Sequence, residues 1–254
     1  MESLESELQR ARDLSVSVLA DAIESIGFEC TRCGACCKAE TCGGGEDGES
    51  GNSETDPHTA TIFPDEIRTI QESGDYDFRD VARPMPYGLT EGDNGPEGET
   101  FEWALQTDDC GDCTFYEETT TDEGVQGACT VHEDRPLVCQ TYPFSVALGG
   151  TSQPMGEAVD SAGPAVSGTE GTDEDESADS DGLVRAHECE GLGRDISRAE
   201  AEQLADALKE RAIRELEEAI AVRDGYEPVE TSPGEVVVHD SEGTKRPDGT
   251  PMNR

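Results

Sequence analysis

The stretch Phe28-Glu29-Cys30-Thr31-Arg32-Cys33-Gly34-Ala35-Cys36-Cys37 places four thiols within eight positions. Packing of small apolar side chains needs no such density, whereas metal ligation does. Thiolates are soft donors for Zn2+ and for iron–sulfur clusters, and two-residue spacings let successive sulfurs turn towards one centre. Gly34 permits the tight backbone path this requires. Cys30, Cys33 and Cys36 reproduce the C-x2-C-x2-C opening of a ferredoxin-type site. Cys37 complicates a mononuclear site, because neighbouring side chains diverge. One of the pair is therefore expected to point elsewhere, unless a larger cluster or a second site takes both.

Working outward, more thiols follow: Cys113 in Cys113-Thr114-Phe115-Tyr116, Cys129 in Cys129-Thr130-Val131-His132, Cys139 after Arg135-Pro136, and Cys189 in Cys189-Glu190-Gly191-Leu192-Gly193. Cys42 and Cys110 bring the total to ten, each a spare, redox-active or alternative ligand. Cys110-Gly111-Asp112-Cys113 is itself a C-x2-C element, so a zinc site pairing it with Cys30 and Cys33 is a rival arrangement. The amino terminus carries charges from Glu2 to Asp13 and shows no uninterrupted apolar region. A cytoplasmic, reducing compartment is the expectation, and there metal or redox chemistry displaces a disulfide framework. Iron–sulfur is the favoured reading, with zinc as the alternative and disulfides or buried thiols behind both; spacing does not choose between the two metals, since both accept four thiolates.

The remaining composition says more about solvent than about chemistry. Asp and Glu number 59 against 18 Lys and Arg, a net charge of −41, and the only lysines are Lys38, Lys209 and Lys245. In about 1 M salt the Debye length falls to roughly 3 Å, so the carboxylates stop repelling one another and keep the chain hydrated. A halophilic, acidic protein is the reading; an ordinary acidic and partly disordered chain is the competing one. Either way nucleic acid and anionic membrane are disfavoured as partners. With 33% hydrophobic residues and 28 glycines the core is expected to be small, and a small core calls for staples.

Apolar residues at Leu4, Leu8, Ala11, Leu14, Val18, Ala22 and Ile26 predict an amphipathic helix over 1–27 that packs on the core. The cysteine-cluster domain is expected over 28–195, interrupted by acidic, disordered inserts at 43–57 and 149–183. Within it, Pro64-Asp65 suits a first helical turn, and Phe101, Trp103 and Leu105 alternate as in a strand. Ser197-Arg198-Ala199-Glu200 is a capping box that opens a helix over 196–224. A flexible acidic tail follows over 225–254, with Val236-Val237-Val238 its one apolar run, which either adds an edge strand or does nothing. The fold class implied is α+β, small, mostly helical and irregular, a cysteine- and metal-stapled core flanked by amino- and carboxy-terminal helices.

These residues resemble the YkgJ-type cysteine-cluster family, described as zinc- or iron-chelating domains and often labelled Fe–S oxidoreductases. That family opens with F-x-C-x2-C-G-x-C-C, matched by Phe28 to Cys37. Its later elements appear in order as Cys113-Thr114-Phe115-Tyr116, Cys129-Thr130-Val131-His132, Arg135-Pro136 with Cys139-Gln140-Thr141-Tyr142-Pro143-Phe144, and Cys189-Glu190-Gly191-Leu192-Gly193. The resemblance implies metal ligation by Cys30, Cys33, Cys36, Cys37, Cys113, Cys129, Cys139 and Cys189. It extends towards flagellin lysine N-methylases, which makes a protein lysine N-methyltransferase-like enzyme a third alternative. The chain departs from the C-x3-C-x2-C spacing of radical enzymes that use S-adenosylmethionine.

Around the thiols, Arg135 either offsets thiolate charge or pairs with one of the many carboxylates. Tyr142-Pro143-Phe144 either shields the cluster or is core. His132 reads as structural, and His58, His187 and His239 are weaker ligand candidates still. The chain has no Gly-rich phosphate loop, Ser–His–Asp arrangement or zinc-protease helix. The expected function is an iron–sulfur protein with a redox or cluster-carrying role and a redox or protein partner. A structural zinc module for protein interaction is the alternative, and enzyme status stays open.

Overall fold

Ser3 turns the chain into helix α1 (Leu4–Asp13), its hydroxyl accepting the Ser6 amide at 3.3 Å. Glu5 and Glu7 in the first turn and Arg10 and Arg12 in the last complement the helix dipole. Leu14 leaves helical backbone and Ser15 opens helix α2 (Val16–Ile26), so the single helix expected over 1–27 is two. Of the expected stripe Leu8, Ala11, Ala22 and Ile26 are buried, but Leu4, Leu14 and Val18 are only half-buried, and after the break Leu19 and Ile23 take core positions instead. Gly27 then ends α2 at φ 78, where a Cβ would stand 2.5 Å from the Arg194 carbonyl oxygen.

The computed structural model describes residues 3–39, 57–121, 124–148, 158–165 and 182–252. Cys42 and most of the two expected acidic inserts lie outside these. After α2 come β1 (Thr61–Ile62), α3 (Pro64–Ser73), α4 (Phe78–Val81), β2 (Ala82–Pro84), β3 (Thr90–Gly92), β4 (Gly95–Phe101) and β5 (Trp103–Leu105). The chain continues through β6 (Tyr116–Thr121), β7 (Gly124–Cys129), α5 (Leu137–Thr141), β8 (Phe144–Val146), β9 (Ala158–Ala165) and β10 (Gly182–His187). It closes with α6 (Arg198–Gly225), β11 (Val236–Asp240) and β12 (Gly243–Lys245). Among the described residues no helix is long and apolar enough to cross a membrane.

Two units result. The first comprises Met1–Thr31 with Cys139–Ile220. Here β10 lies between β8 and β9 in an antiparallel sheet, in register Val184↔Val146 and Arg185↔Ser161. Leu19 and Ile23 of α2, Phe144 of β8, Val184 of β10 and Leu208 of α6 share one buried core. Phe28 meets Phe144 edge-on at 5.6 Å. The expected capping box opens α6, with Glu200 accepting the Ser197 amide at 3.1 Å. Arg198 reaches Asp21 and Glu24 of α2, fixing the two helices together. Strand β9 corrects the expectation of disorder across 149–183, because its backbone pairs with β10 despite a weakly apolar sequence.

The second unit comprises Arg32–Val138 with Ala221–Arg254. Its sheets are β1-β5-β2, the four-stranded β12-β11-β4-β3, and the β6-β7 hairpin. Pro64 opens α3, and Glu66 accepts the Phe63 amide at 3.0 Å. The expected strand through Phe101 and Leu105 is two strands, divided at Glu102, whose φ is 70. Trp103, Ala104 and Leu105 are all buried because β5 is the central strand of its sheet, and this ends the alternation. Trp103 Nε1 donates to Asp240 Oδ2 at 2.7 Å, and Lys245 pairs with the same carboxylate at 2.8 Å.

Two further expectations change. The tail over 225–254 is not a flexible appendage: β11 pairs parallel with β4 in register Val238↔Thr100, and Val237 and Val238 are fully buried. The fold is mixed α+β as expected, but six α-helices and twelve strands among the described residues correct "mostly helical and irregular". The strands escaped a periodicity reading because they are short or polar. Tyr116-Glu117-Glu118-Thr119-Thr120-Thr121 forms its hairpin through backbone pairing and β-branched residues, without an apolar face.

Candidate metal centre

The cysteine loop enters the second unit through Arg32, at φ 59, and Gly34, at φ 78. These left-handed residues bend the chain into a short 3-10 turn over Ala35–Cys37. Gly34 has no alternative here, since a Cβ would stand 2.0 Å from the Tyr116 hydroxyl. The turn overcomes the divergence expected of neighbouring side chains, leaving Cys36 Sγ and Cys37 Sγ 3.8 Å apart. The expectation that one of the pair points away is thereby corrected.

Two other cysteine segments are tied to this loop through the backbone. Asp108 Oδ1 accepts the amides of Cys110 and Asp112 at 2.9 and 3.0 Å, shaping the loop before Cys113. Cys113 N–H donates to the Cys37 carbonyl at 2.8 Å, and Asp112 accepts the Ala39 amide at 2.8 Å. From the hairpin, Gly127 N–H donates to the Arg32 carbonyl at 2.8 Å, and Tyr116 pairs with Cys129 across β6-β7. Segments distant in sequence thus bring Cys36, Cys37, Cys113 and Cys129 into one neighbourhood. Cys33 belongs to the same loop, half-buried, and Cys110 stands exposed at its edge.

The electrostatics report the same neighbourhood. The hydrogen bond with Cys37 brings Cys36 down from 9.0 to about 7, so near neutral pH its thiolate is accessible. Burial pushes Cys113 up to about 11, and the thiols of Cys129 and Cys36 add to that. Burial also raises Cys129, opposed by the Arg135 guanidinium, which supports the charge-offsetting role for Arg135. Arg135 itself donates to the His132 carbonyl at 3.0 Å, in keeping with a structural His132.

Cys30, Cys139 and Cys189 belong to the first unit, where the segments carrying them are joined in turn. Glu29 N–H donates to the Gly191 carbonyl at 3.0 Å, and Phe28 bridges Leu192. His187 N–H donates to the Pro143 carbonyl at 2.9 Å, and the Tyr142 hydroxyl donates to the Glu188 carbonyl. Phe144 is core, at 0% exposure, which settles the choice left open for that residue. His187 and His239 are also buried, the first with Nε2 against Ser145 at 2.9 Å and the second with Nε2 against Glu99 at 2.7 Å.

Metal fit can be judged from the donor chemistry. A tetrahedral ion with thiolates about 2.3 Å away holds any two of them about 3.8 Å apart. The Cys36–Cys37 separation of 3.8 Å meets that spacing. Among the described residues no group of three His, Cys, Asp or Glu side chains is placed to hold a metal ion.

Tyr116 and Lys38 were not singled out from the sequence. The Tyr116 ring fills the space left by Gly34 and Gly127, and its hydroxyl donates to Glu118 at 2.9 Å. Lys38 pairs with Glu118 and lies 5.3 Å from the Tyr116 ring centre. The glycines at 34 and 127 were the available signal, each making room for one aromatic ring.

The family model CxxCxxCC, "Putative zinc- or iron-chelating domain", matches residues 29–190. No curated protein and no solved structure matches the chain.

Proposed function

Because the chain belongs to the CxxCxxCC family of zinc- or iron-chelating domains, we propose that its thiolates hold an iron–sulfur cluster in a redox or cluster-carrying role. The observation that carries the reading is the group Cys36, Cys37, Cys113 and Cys129, four soft donors from three segments in one neighbourhood. A bound cluster supplies one-electron chemistry or a transferable iron–sulfur unit. The chain's own residues supply the setting. Cys113 is withdrawn from water at 7% exposure, Arg135 offsets negative charge at Cys129, and Tyr116 braces the loop from Arg32 to Lys38. With a net charge of −41, the partner is a protein or redox carrier and not a polyanion, and the setting is a hypersaline cytoplasm.

Zinc is the second reading, favoured by the 3.8 Å sulfur pair, which fits one edge of the tetrahedron around a single ion. Anaerobic purification followed by iron, sulfide and visible-absorption measurement separates the two. A coloured protein with iron and acid-labile sulfide supports the cluster. A colourless protein with stoichiometric zinc overturns it in favour of the structural module, and a chain that takes up neither metal overturns both.

A further inference from the structure

Strands β4 and β11 run parallel, with His239 beside Phe101 and Val237 beside Glu99. Side chains alternate along a strand, so Glu97, Glu99 and Phe101 leave the same face of β4. Tyr226, just past the end of α6, comes to that face and completes a group of three rings. Phe101 stacks on His239 at 5.5 Å, Tyr226 meets His239 edge-on at 4.9 Å, and Phe101 and Tyr226 meet at 5.4 Å. His239 is the floor, 3% exposed, with Nε2 against Glu99 Oε2 at 2.7 Å and Nδ1 against the Thr244 hydroxyl at 3.4 Å. The other two rings stay open to water, at 43% and 38% exposure. A floor held by two polar contacts thus fixes two aromatic rings in place without covering them.

The surroundings decide what such a pair can receive. Aromatic faces carry negative charge density, and their frame here is acidic. Glu97, Glu99 and Glu102 lie along β4 and just past it, Asp224 and Glu227 flank Tyr226, and neither 95–102 nor 224–235 contains a Lys or Arg. The surface is therefore complementary to a cation. Of the two strong protein cations, the guanidinium is planar and weakly hydrated, so it lies flat on a ring, whereas an ammonium holds its water. A second copy of the chain is a poor occupant, since it brings another charge of −41. Two half-open rings also fall far short of the roughly 1,000 Å2 that a stable interface buries.

The geometry points to Phe101 and Tyr226 as a docking point for an arginine side chain on a basic segment of a partner protein, stacked on the rings and drawn in by the carboxylates around them. No metal enters this contact, so it stands apart from the proposed function of the thiols.

The test uses the full chain and two labelled peptides, one alternating Arg and Ser and the other with Lys for each Arg. Binding is read by fluorescence anisotropy in about 1 M KCl, where a Debye length of roughly 3 Å removes long-range attraction and leaves contact stacking. The Arg peptide is expected to bind about tenfold tighter than the Lys peptide. Phe101→Leu and Tyr226→Leu keep apolar bulk but remove the ring face, and each should weaken the Arg peptide roughly three- to tenfold and narrow its advantage over Lys. Val125→Thr, at an apolar residue of β7 that is 62% exposed, should change nothing. Equal affinity for the two peptides, no binding in about 1 M KCl, or ring variants that bind as the unaltered chain does overturns the inference. So does a dimer in sedimentation that the same variants dissociate, because a second copy would then cover the rings. Should Phe101→Leu not fold, Tyr226→Leu decides the matter alone.

Discussion

In the second unit Cys36, Cys37, Cys113 and Cys129 are held by turns and backbone hydrogen bonds, whereas in the first Cys30, Cys139 and Cys189 stand on segments packed against a helix-and-sheet core. The difference bears on what metal does in each. Segments anchored by Phe144, Leu208 and Ile23 have apolar burial to order them. The loops at 32–39 and 108–113 have few apolar side chains of their own, so on the proposed function their order is expected to depend on ligation.

Removing a ligand from the second group should therefore produce the largest effect. Cys37→Ser is expected to abolish stoichiometric metal and, by hydrogen exchange, to remove amide protection over 32–39 and 108–130. Protection in α1, α2 and α6 should persist. Unchanged protection of the two loops would show that their turns stand without metal, and the contrast between the units would collapse.

The complementary test strikes the first unit's core. Phe144 is fully buried and meets Phe28 edge-on at 5.6 Å. Phe144→Ala should cost about 3–5 kcal/mol in urea unfolding of the first unit. Hydrogen exchange at 108–130 should be little affected, and an equal loss there would mean that the two regions share one source of order.

Acid sharpens the contrast further. Burial, with the Arg83 guanidinium adding to it and Asp112 opposing it, brings His58 of the second unit from 6.5 down to about 4. Because the unfolded chain takes up this proton first, the stability due to neutral His58 is complete above about pH 6.5 and is lost as pH falls towards 4. By pH 5 the loss should be on the order of 1–2 kcal/mol, at 1.36 kcal/mol per unit. His58→Gln should flatten that part of the profile in urea midpoints measured at pH 7 and 5; a slope identical to that of the unaltered chain would remove His58 as its cause.

What the sequence made legible follows from what carries each feature. Thiols bonded through spacing and glycine are visible as letters, so Cys36, Cys37, Cys113 and Cys129 could be named before any geometry. Helices with an apolar stripe, such as α6 with Leu208, Ala212 and Leu216, are legible from a 3.6-residue period. Strand β11 was legible only as an alternative, an edge strand or nothing, because three valines acquire their place between β4 and β12 only beside Gly98, Glu99 and Thr100, more than a hundred positions away. Likewise Gly34 announced a turn, but only the fold shows that Tyr116 occupies the space it leaves.

The smallest expected effect concerns the surface of the thiol loop. Lys38 and Glu118 pair with side chains 37% and 40% exposed, a setting in which ion pairs add little. Lys38→Met should lower the melting temperature slightly at low salt and not measurably near 1 M, where the Debye length is roughly 3 Å. The whole chain should move the other way, gaining stability with salt as repulsion among its 59 carboxylates is screened. Thermal unfolding of both proteins across a salt series checks the two signs together. A chain that loses stability as salt rises would remove the hypersaline setting and leave its acidity to be explained by a partner.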